Sequence, residues 1–289
     1  FCDSYSDFYI ERSNYAKGTG ENLAIKLGLN TVYGSSNNEY SAFCDPKYTM
    51  SITIGGQLSL CMLMERLLML CGVKVIQCNT DGFTIKIHKS KIELMKEHVK
   101  RWEKVTGLVM EDSHYSRMNI RDVNNYIALY TNGKAKMKGA YEYLPFVKQE
   151  LGAMHKNHSC TVVQMAVEHE IVNGGDAVSF IRNHDNPFDF MLRAKIPRSC
   201  SLVLVNDGVD VPQQNICRYY ASFCGGELVK IMPPLVDGGD PRRMSVESNQ
   251  LVKTCNNIED FKWDIDYQYY IDQALKMIEP FKQEVYKTS

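Results

Sequence analysis

No two cysteines in this chain stand three residues apart, although it has ten of them. Without such a pair, a zinc ribbon or an iron–sulfur site has no local support. The ten are also too scattered along 289 residues to form the dense framework of a small secreted scaffold, so reduced, mostly buried thiols in an intracellular protein are expected. A long uncharged hydrophobic run is missing too. The most apolar stretch, Leu58 to Cys71, has Gln57 before it and Glu65 and Arg66 inside it. It is too short and too charged to span a bilayer and reads as a core helix. No signal-peptide pattern opens the chain, which begins at Phe1, so a fragment or processed product is expected. Charge of one sign is lacking as well. A net charge of −1 excludes a global basic field, though not a basic groove balanced by acidic patches. There is no internal repeat and no low-complexity tract.

What is present is the composition of a globular protein, 44% hydrophobic and 23% charged. The length suffices for two domains or one large one. After a polar, aromatic opening, a helix is expected from Glu21 or Asn22 to about Gly34, and a long helix from Ser51 to Leu70. Residues 39 to 49 read as a loop or short strand. Val73 to Ile87 alternates as a hairpin with Asp81-Gly82 at its turn. A helix from Ser90 to Val105 stops at Gly107. Val123 to Tyr130 then pairs across Thr131-Asn132-Gly133 with Lys134 to Glu142. Helix, hairpin, helix, hairpin predicts an α+β fold, an antiparallel sheet backed by helices. From Tyr143 the texture becomes mixed, mainly helical, with Pro- and Gly-rich loops and a last helix from Asp266 to Ile278. A domain boundary is expected near Tyr143.

Two stretches carry candidate chemistry. In Lys26-Leu27-Gly28-Leu29-Asn30-Thr31-Val32-Tyr33-Gly34, a cation, an amide and an aromatic ring follow one another along a helix edge. Phosphate, sugar and base of a nucleoside triphosphate form the matching series. An ordinary amphipathic helix with Leu23, Leu27 and the Tyr33 ring in the core accounts for the same pattern. The second stretch is Asn79-Thr80-Asp81-Gly82. A carboxylate at a hairpin tip suits a hard divalent cation, but most Asp-Gly turns are only turns.

Together the two stretches resemble family B DNA polymerases. Lys26, Asn30, Thr31, Tyr33 and Gly34 match the fingers motif Lys-x-x-x-Asn-Ser-x-Tyr-Gly, with Thr31 for the usual Ser. Asn79-Thr80-Asp81 matches the palm motif Asp-Thr-Asp, with Asn79 for the first Asp. Asn125-Tyr126-Ile127 followed by Lys134-Ala135-Lys136-Met137-Lys138-Gly139 is similar to the palm–thumb junction, although Asn124 stands where many members have Lys. The texture is closest to bacteriophage members. The resemblance implies a fingers remnant over 1–38, a palm over 39–142 and a thumb over 143–289. It implies that Lys26 meets the triphosphate, Asn30 sits beside the nucleotide and Tyr33 floors the nascent base pair. Asp81 would hold two Mg²⁺ ions, with Mn²⁺ a possible substitute, and Tyr126, Lys136 and Lys138 would touch primer–template DNA, with Lys134 a further candidate. Thr80, Gly82 and Gly139 would support the motifs.

Nothing in the chain matches the family's upstream Asp-x-x-Ser-Leu-Tyr-Pro strand, its first fingers helix or an exonuclease domain. The implied function is template-directed nucleotidyl transfer to a primer 3′-hydroxyl in DNA replication, by the C-terminal part of such an enzyme. An upstream segment would supply the missing carboxylate and exonuclease. The alternative is a DNA-binding subunit inactive without a separately encoded partner, and a third reading is an α+β interaction domain with chance matches. A non-membrane protein of the cytoplasm, that of a bacterial host if the source is viral, is implied. Several features read as structural: Trp102 and Trp263 as core, and His155, His158 and His169 as lacking metal spacing. Arg193-Ala194-Lys195 and Arg242-Arg243 fit either a duplex-facing groove or a solvated loop.

Overall fold

The computed structural model describes residues 2–144, 159–236 and 238–282; His155 and His158 lie outside them. The fold is α+β with antiparallel sheets, and it divides into two compact units, Phe1–Asp112 and Ser113–Ser289.

The first unit is built mainly from helices: α1 (Cys2–Arg12), α2 (Gly20–Ser35), α3 (Pro46–Leu68) and α4 (Ile92–Thr106). The starts of α2 and α3 have a chemical cause. The Thr19 hydroxyl accepts from the Asn22 amide to cap α2. Asp45 accepts from the Tyr48 amide and Pro46 opens α3, so α3 begins five residues before the expected Ser51. That Asp-Pro pair lies in the stretch predicted as loop or strand. Gly107 closes α4 in the left-handed conformation, with φ +72°. Gly34, by contrast, does not cap α2, which runs one residue past it and ends at Ser36 in a right-handed conformation. The buried Ser36 hydroxyl donates to the Tyr33 carbonyl and pairs with the Thr49 hydroxyl of α3.

Between α3 and α4, β1 (Lys74–Cys78) and β2 (Phe83–Lys86) form a two-stranded sheet. The core behind it is small. Leu63, Leu67 and Trp102 are its buried members, with Phe83, Ile85, Met95 and Val99 packed at its margin. Trp102 donates its indole N–H to the Ser59 carbonyl at 2.7 Å. Leu23 and Leu27 do not join this core as an amphipathic helix would require; they are 55% and 70% exposed.

The second unit opens with β3 (Tyr115–Asp122), β4 (Asn125–Tyr130) and β5 (Ala135–Lys138) in a three-stranded antiparallel sheet. β3 has no clean polar–apolar alternation and is absent from the sequence expectation. The β4–β5 turn is as predicted, with Gly133 at φ +81° donating to the Tyr130 carbonyl. Beyond Tyr143 come α5 (Thr161–Asn173), α6 (Ala177–Arg182), β6 (Leu192–Lys195), β7 (Ser201–Asn206), β8 (Val209–Gln213), β9 (Ile216–Met232), β10 (Arg242–Ser245), β11 (Val252–Thr254) and α7 (Tyr267–Lys282).

Among its described residues this stretch is not mainly helical. Six of its strands make one antiparallel sheet, ordered β10-β9-β7-β8 with β6 and β11 also pairing to β9. Two causes hid them. β7 is a continuous apolar run rather than an alternating one. In β9, Gly225 and Gly226 interrupt the pattern because neighbouring backbone leaves no room for a side chain: a Cβ there would lie 2.3 Å from the Val252 carbonyl oxygen and 2.4 Å from the Val205 carbonyl oxygen, respectively.

One continuous core spans the three-stranded sheet and the elements after Tyr143, joining Ile127 and Tyr141 to Val163, Phe190, Leu202, Tyr220, Tyr270 and Ile278. Tyr270 is its polar pin. Its hydroxyl donates to the Phe190 carbonyl at 2.8 Å and accepts from the Ala221 amide at 2.9 Å. Leu275, expected on the inner face of α7, is 38% exposed, and Trp263, expected in the core, is 53% exposed.

Candidate functional site

In the first unit the candidate residues occupy two places. Lys26, Asn30 and Thr31 stand exposed along α2. Tyr33, 41% exposed, shares a hydrogen bond of 3.1 Å with the Thr53 hydroxyl, which ties its ring to α3. Thr31 bonds back to the Leu27 carbonyl at 2.8 Å, so its hydroxyl serves the helix. Lys17 forms an ion pair with Glu111, and the hydrogen bond and charge of Lys17, with a smaller contribution from the charge of Lys26, hold the Glu111 carboxyl below its ordinary range. The α2 edge therefore presents cations next to one carboxylate, with Asn30 and Tyr33 one and two turns further on.

Asp81 stands exposed with Thr80 at the corner of the β1–β2 hairpin. The turn is closed by the Asn79 amide donating to the Gly82 carbonyl at 2.9 Å. Gly82 does not take a positive φ, so its role is not that of a left-handed turn residue. Its missing Cβ position is 3.6 Å from Asn79 Oδ1, ordinary contact distance. Beside the hairpin a cleft of about 290 Å³ is lined by Gln57, Leu60, Cys61 and Met64 of α3 and by Cys78, Asn79, Thr80, Gly82 and Phe83. Among the described residues no hydrogen bond or ion pair joins the α2 side chains to Asp81. No group of three or more His, Cys, Asp or Glu side chains among them is placed to hold a metal ion.

In the second unit the candidates lie on the three-stranded sheet. Tyr126 pairs across the strands with Lys138, and Ala128 with Lys136. Tyr126 is buried, at 6% exposure, whereas Lys138 and Lys134 are exposed. Gly139 has a strict requirement. At φ +64°, a Cβ there would lie 2.3 Å from both the Asn124 carbonyl oxygen and Asn125 Oδ1. Asn125 organises this corner. Its side-chain oxygen accepts from the Ala140 amide at 2.7 Å and its NH₂ donates to Asp122 at 2.6 Å. That hydrogen bond, with one from Arg121, holds the Asp122 carboxyl below its usual range. A Gly after Lys138 is thus explained by backbone geometry, with no ligand required.

Other basic residues are strand residues, not loop. Arg193 and Lys195 lie on β6, Arg193 opposite Arg218, and Arg243 on β10 makes a bidentate pair with Asp210 at 2.7 and 2.8 Å. His169 packs against Phe180 and fills the space a side chain at Gly175 would need.

The α+β layout and order of these elements are similar to those of a solved structure, the family B DNA polymerase from the hyperthermophilic archaeon Pyrobaculum calidifontis. The TM-score is 0.51. The likeness is one of fold. Sequence identity is 14%, and the matched region takes in 98% of this chain and 37% of that polymerase. This chain thus spans little more than a third of that polymerase's length. No family model and no curated protein matches the sequence. No helix among the described residues is long and apolar enough to cross a membrane.

Proposed function

We propose that this chain is part of a template-directed DNA polymerase of family B, bacteriophage-like in the texture of its motifs. The whole enzyme adds deoxynucleotides to a primer 3′-hydroxyl. The observation that carries the reading is one of order and placement within a single compact unit. A helix bearing Lys26, Asn30 and Tyr33 is followed by a long helix and then by a hairpin with Asp81 at its tip. Under this reading residues 1–38 belong to the fingers, 39–142 to the palm and 143–289 to the thumb.

The chemistry asked of each side chain is modest. Phosphoryl transfer is carried by positioning and by stabilising charge on the transferred group and the leaving pyrophosphate. Lys26, exposed on α2, meets the triphosphate. Asn30 lies one turn along, beside the nucleotide, and Tyr33, anchored by Thr53, supports the nascent base pair. Lys136 and Lys138 bind strand phosphates. Asp81 takes part in holding divalent cations, Mg²⁺ by preference, once another segment adds the remaining carboxylates.

A second reading, a DNA-binding subunit of a split polymerase, has a specific observation in its favour. The first unit leaves Phe8, Tyr9, Ile10, Leu23, Leu27 and Leu58 exposed, and its sheet has two strands. A two-stranded sheet is marginal in water, and large exposed apolar patches mark interaction surfaces. A complementary polymerase segment would cover the one and extend the other.

Primer extension separates the readings. The chain is assayed with primer–template DNA, deoxynucleoside triphosphates and Mg²⁺, alone and mixed with a family B polymerase segment that carries the Asp-x-x-Ser-Leu-Tyr-Pro strand. Extension only in the mixture is expected. Extension by the chain alone would refute the need for a second segment, and no extension under any condition, with or without DNA binding, would overturn the polymerase reading.

A further inference from the structure

The outlying feature of the second unit is a lysine set among phenols. Lys136 on β5 lies opposite Ala128, so Tyr126 and Tyr130, two residues to either side of Ala128, share its face of the sheet. Tyr115, at the start of β3, pairs with Tyr130, and the two rings lie 4.9 Å apart at 32°. Its hydroxyl is 3.5 Å from Lys136 Nζ. Lys136 is half-buried there. No carboxylate among the described residues hydrogen-bonds to it. A partly buried ammonium is costly without an opposite charge, and a phenol hydroxyl beside it offers a neutral donor to the same acceptor. Ammonium, phenol donor and aromatic rings on one sheet face are the components that strand-binding surfaces combine.

We propose that Lys136 and Tyr115 together grip one backbone phosphate of a nucleic-acid strand, with Tyr130 as a positioning residue that holds the Tyr115 ring. The assignment rests on the polymerase reading for its ligand, but it adds a strand, β3, and a residue, Tyr115, that none of the sequence motifs contains. The two donors act on one oxygen pair, so their contributions are coupled. Lys136 neutralises the phosphate and releases its counterion; Tyr115 fixes the geometry and releases none.

Fluorescence anisotropy of labelled primer–template DNA, titrated at several salt concentrations, tests this on the full chain. Lys136→Gln is expected to lower the slope of log affinity against log salt by about 0.7–0.9, the share of one phosphate. Tyr115→Phe is expected to weaken binding about tenfold with the slope unchanged, as for loss of a hydrogen bond to a charged group. The double variant should lose less than the product of the two single effects. Tyr130→Leu should weaken binding less than Tyr115→Phe, and Lys276→Gln on α7 should bind as the unmodified chain does. Circular dichroism establishes that each variant is folded. Wild-type binding and slope in Tyr115→Phe or Lys136→Gln would overturn the proposal. Displacement of the DNA by a deoxynucleoside triphosphate in the wild type and not in Lys136→Gln would also overturn it, because the phosphate would then be a nucleotide's. Failure of the polymerase reading looks different: salt-sensitive DNA binding that responds to these variants, with no primer extension under any condition.

Discussion

The two units of this chain bury their side chains very differently. Beyond Ser113 one core runs from Ile127 to Ile278, crossing sheets and helices and pinned by the Tyr270 hydroxyl. Before Asp112 the core is Leu63, Leu67 and Trp102, and large apolar side chains on α1, α2 and α3 stay exposed. Fold stability rises with the apolar surface removed from water. Among the described residues the second unit buries by far the larger apolar core, and the first only a small one. The candidate catalytic side chain, Asp81, sits in the half that is incompletely covered. The candidate strand-binding face, around Lys136, sits on the well-packed one. A binding surface works on a rigid scaffold, whereas a reaction centre assembled from two segments stays inactive until both are present.

The sharpest break of that comparison is chemical. On the proposed polymerase reading, Asp81→Ala in the enzyme completed by a second segment should lower kcat on the order of 10²–10³-fold or more, with DNA affinity within about twofold of wild type because the proposed strand contacts at Lys136 and Lys138 lie in the other unit. Single-turnover extension and anisotropy on the same sample would check it; retained extension would remove Asp81 from the reaction centre. Next in size is packing. Phe190→Ala should cost about 3–5 kcal/mol in urea unfolding, since the ring is fully buried among Trp263, Tyr267 and Tyr270. Leu27→Ala should change stability by no more than about 0.5 kcal/mol in the isolated chain and should weaken association with a complementary segment. If Leu27→Ala were as costly as Phe190→Ala, the contrast between the units would collapse.

The smallest effect is acid lability in the second unit. Asp189, 2% exposed, accepts from Thr161 at 2.6 Å, from Asn186 at 2.9 Å, and pairs with His184 at 2.8 Å. Burial pushes its carboxyl up, but these hydrogen bonds, that of His184 foremost, outweigh it and hold the group below its ordinary value. The unfolded chain then binds the proton more readily than the folded one, so stability falls as pH drops below about 4 toward the folded value. The stability difference between wild type and Asp189→Asn should therefore be constant near neutrality and narrow below about pH 4. A constant difference down to pH 3 would show that these bonds do not favour the carboxylate.

Much of the layout was legible in the residues. The Gly107 stop placed the end of α4, alternation around Asp81 placed the β1–β2 hairpin, and Asn132-Gly133 placed the β4–β5 turn. What escaped had physical reasons. β3 carries Ser, Arg and Asn at positions where alternation needs apolar side chains, so Tyr115 was invisible as a site residue. β7 is apolar on both faces and β9 is broken by two glycines whose neighbours stand too close for a Cβ. Asp45-Pro46 was a helix start hidden inside a stretch rich in turn residues.

By itself the sequence determined local matters: which segments coil or extend, where tight turns such as Asn132-Gly133 fall, and which side chains carry charge and hydrogen-bonding capacity. These depend on neighbours a few residues apart, where backbone sterics and periodicity dominate. Only the tertiary structure decided that Leu23 and Leu27 lie exposed, that Tyr126 is buried while Lys138 is not, and that Tyr115 meets Lys136 across two strands. Each of those depends on cross-strand register or on which faces find a partner, and a single residue's chemistry does not encode either.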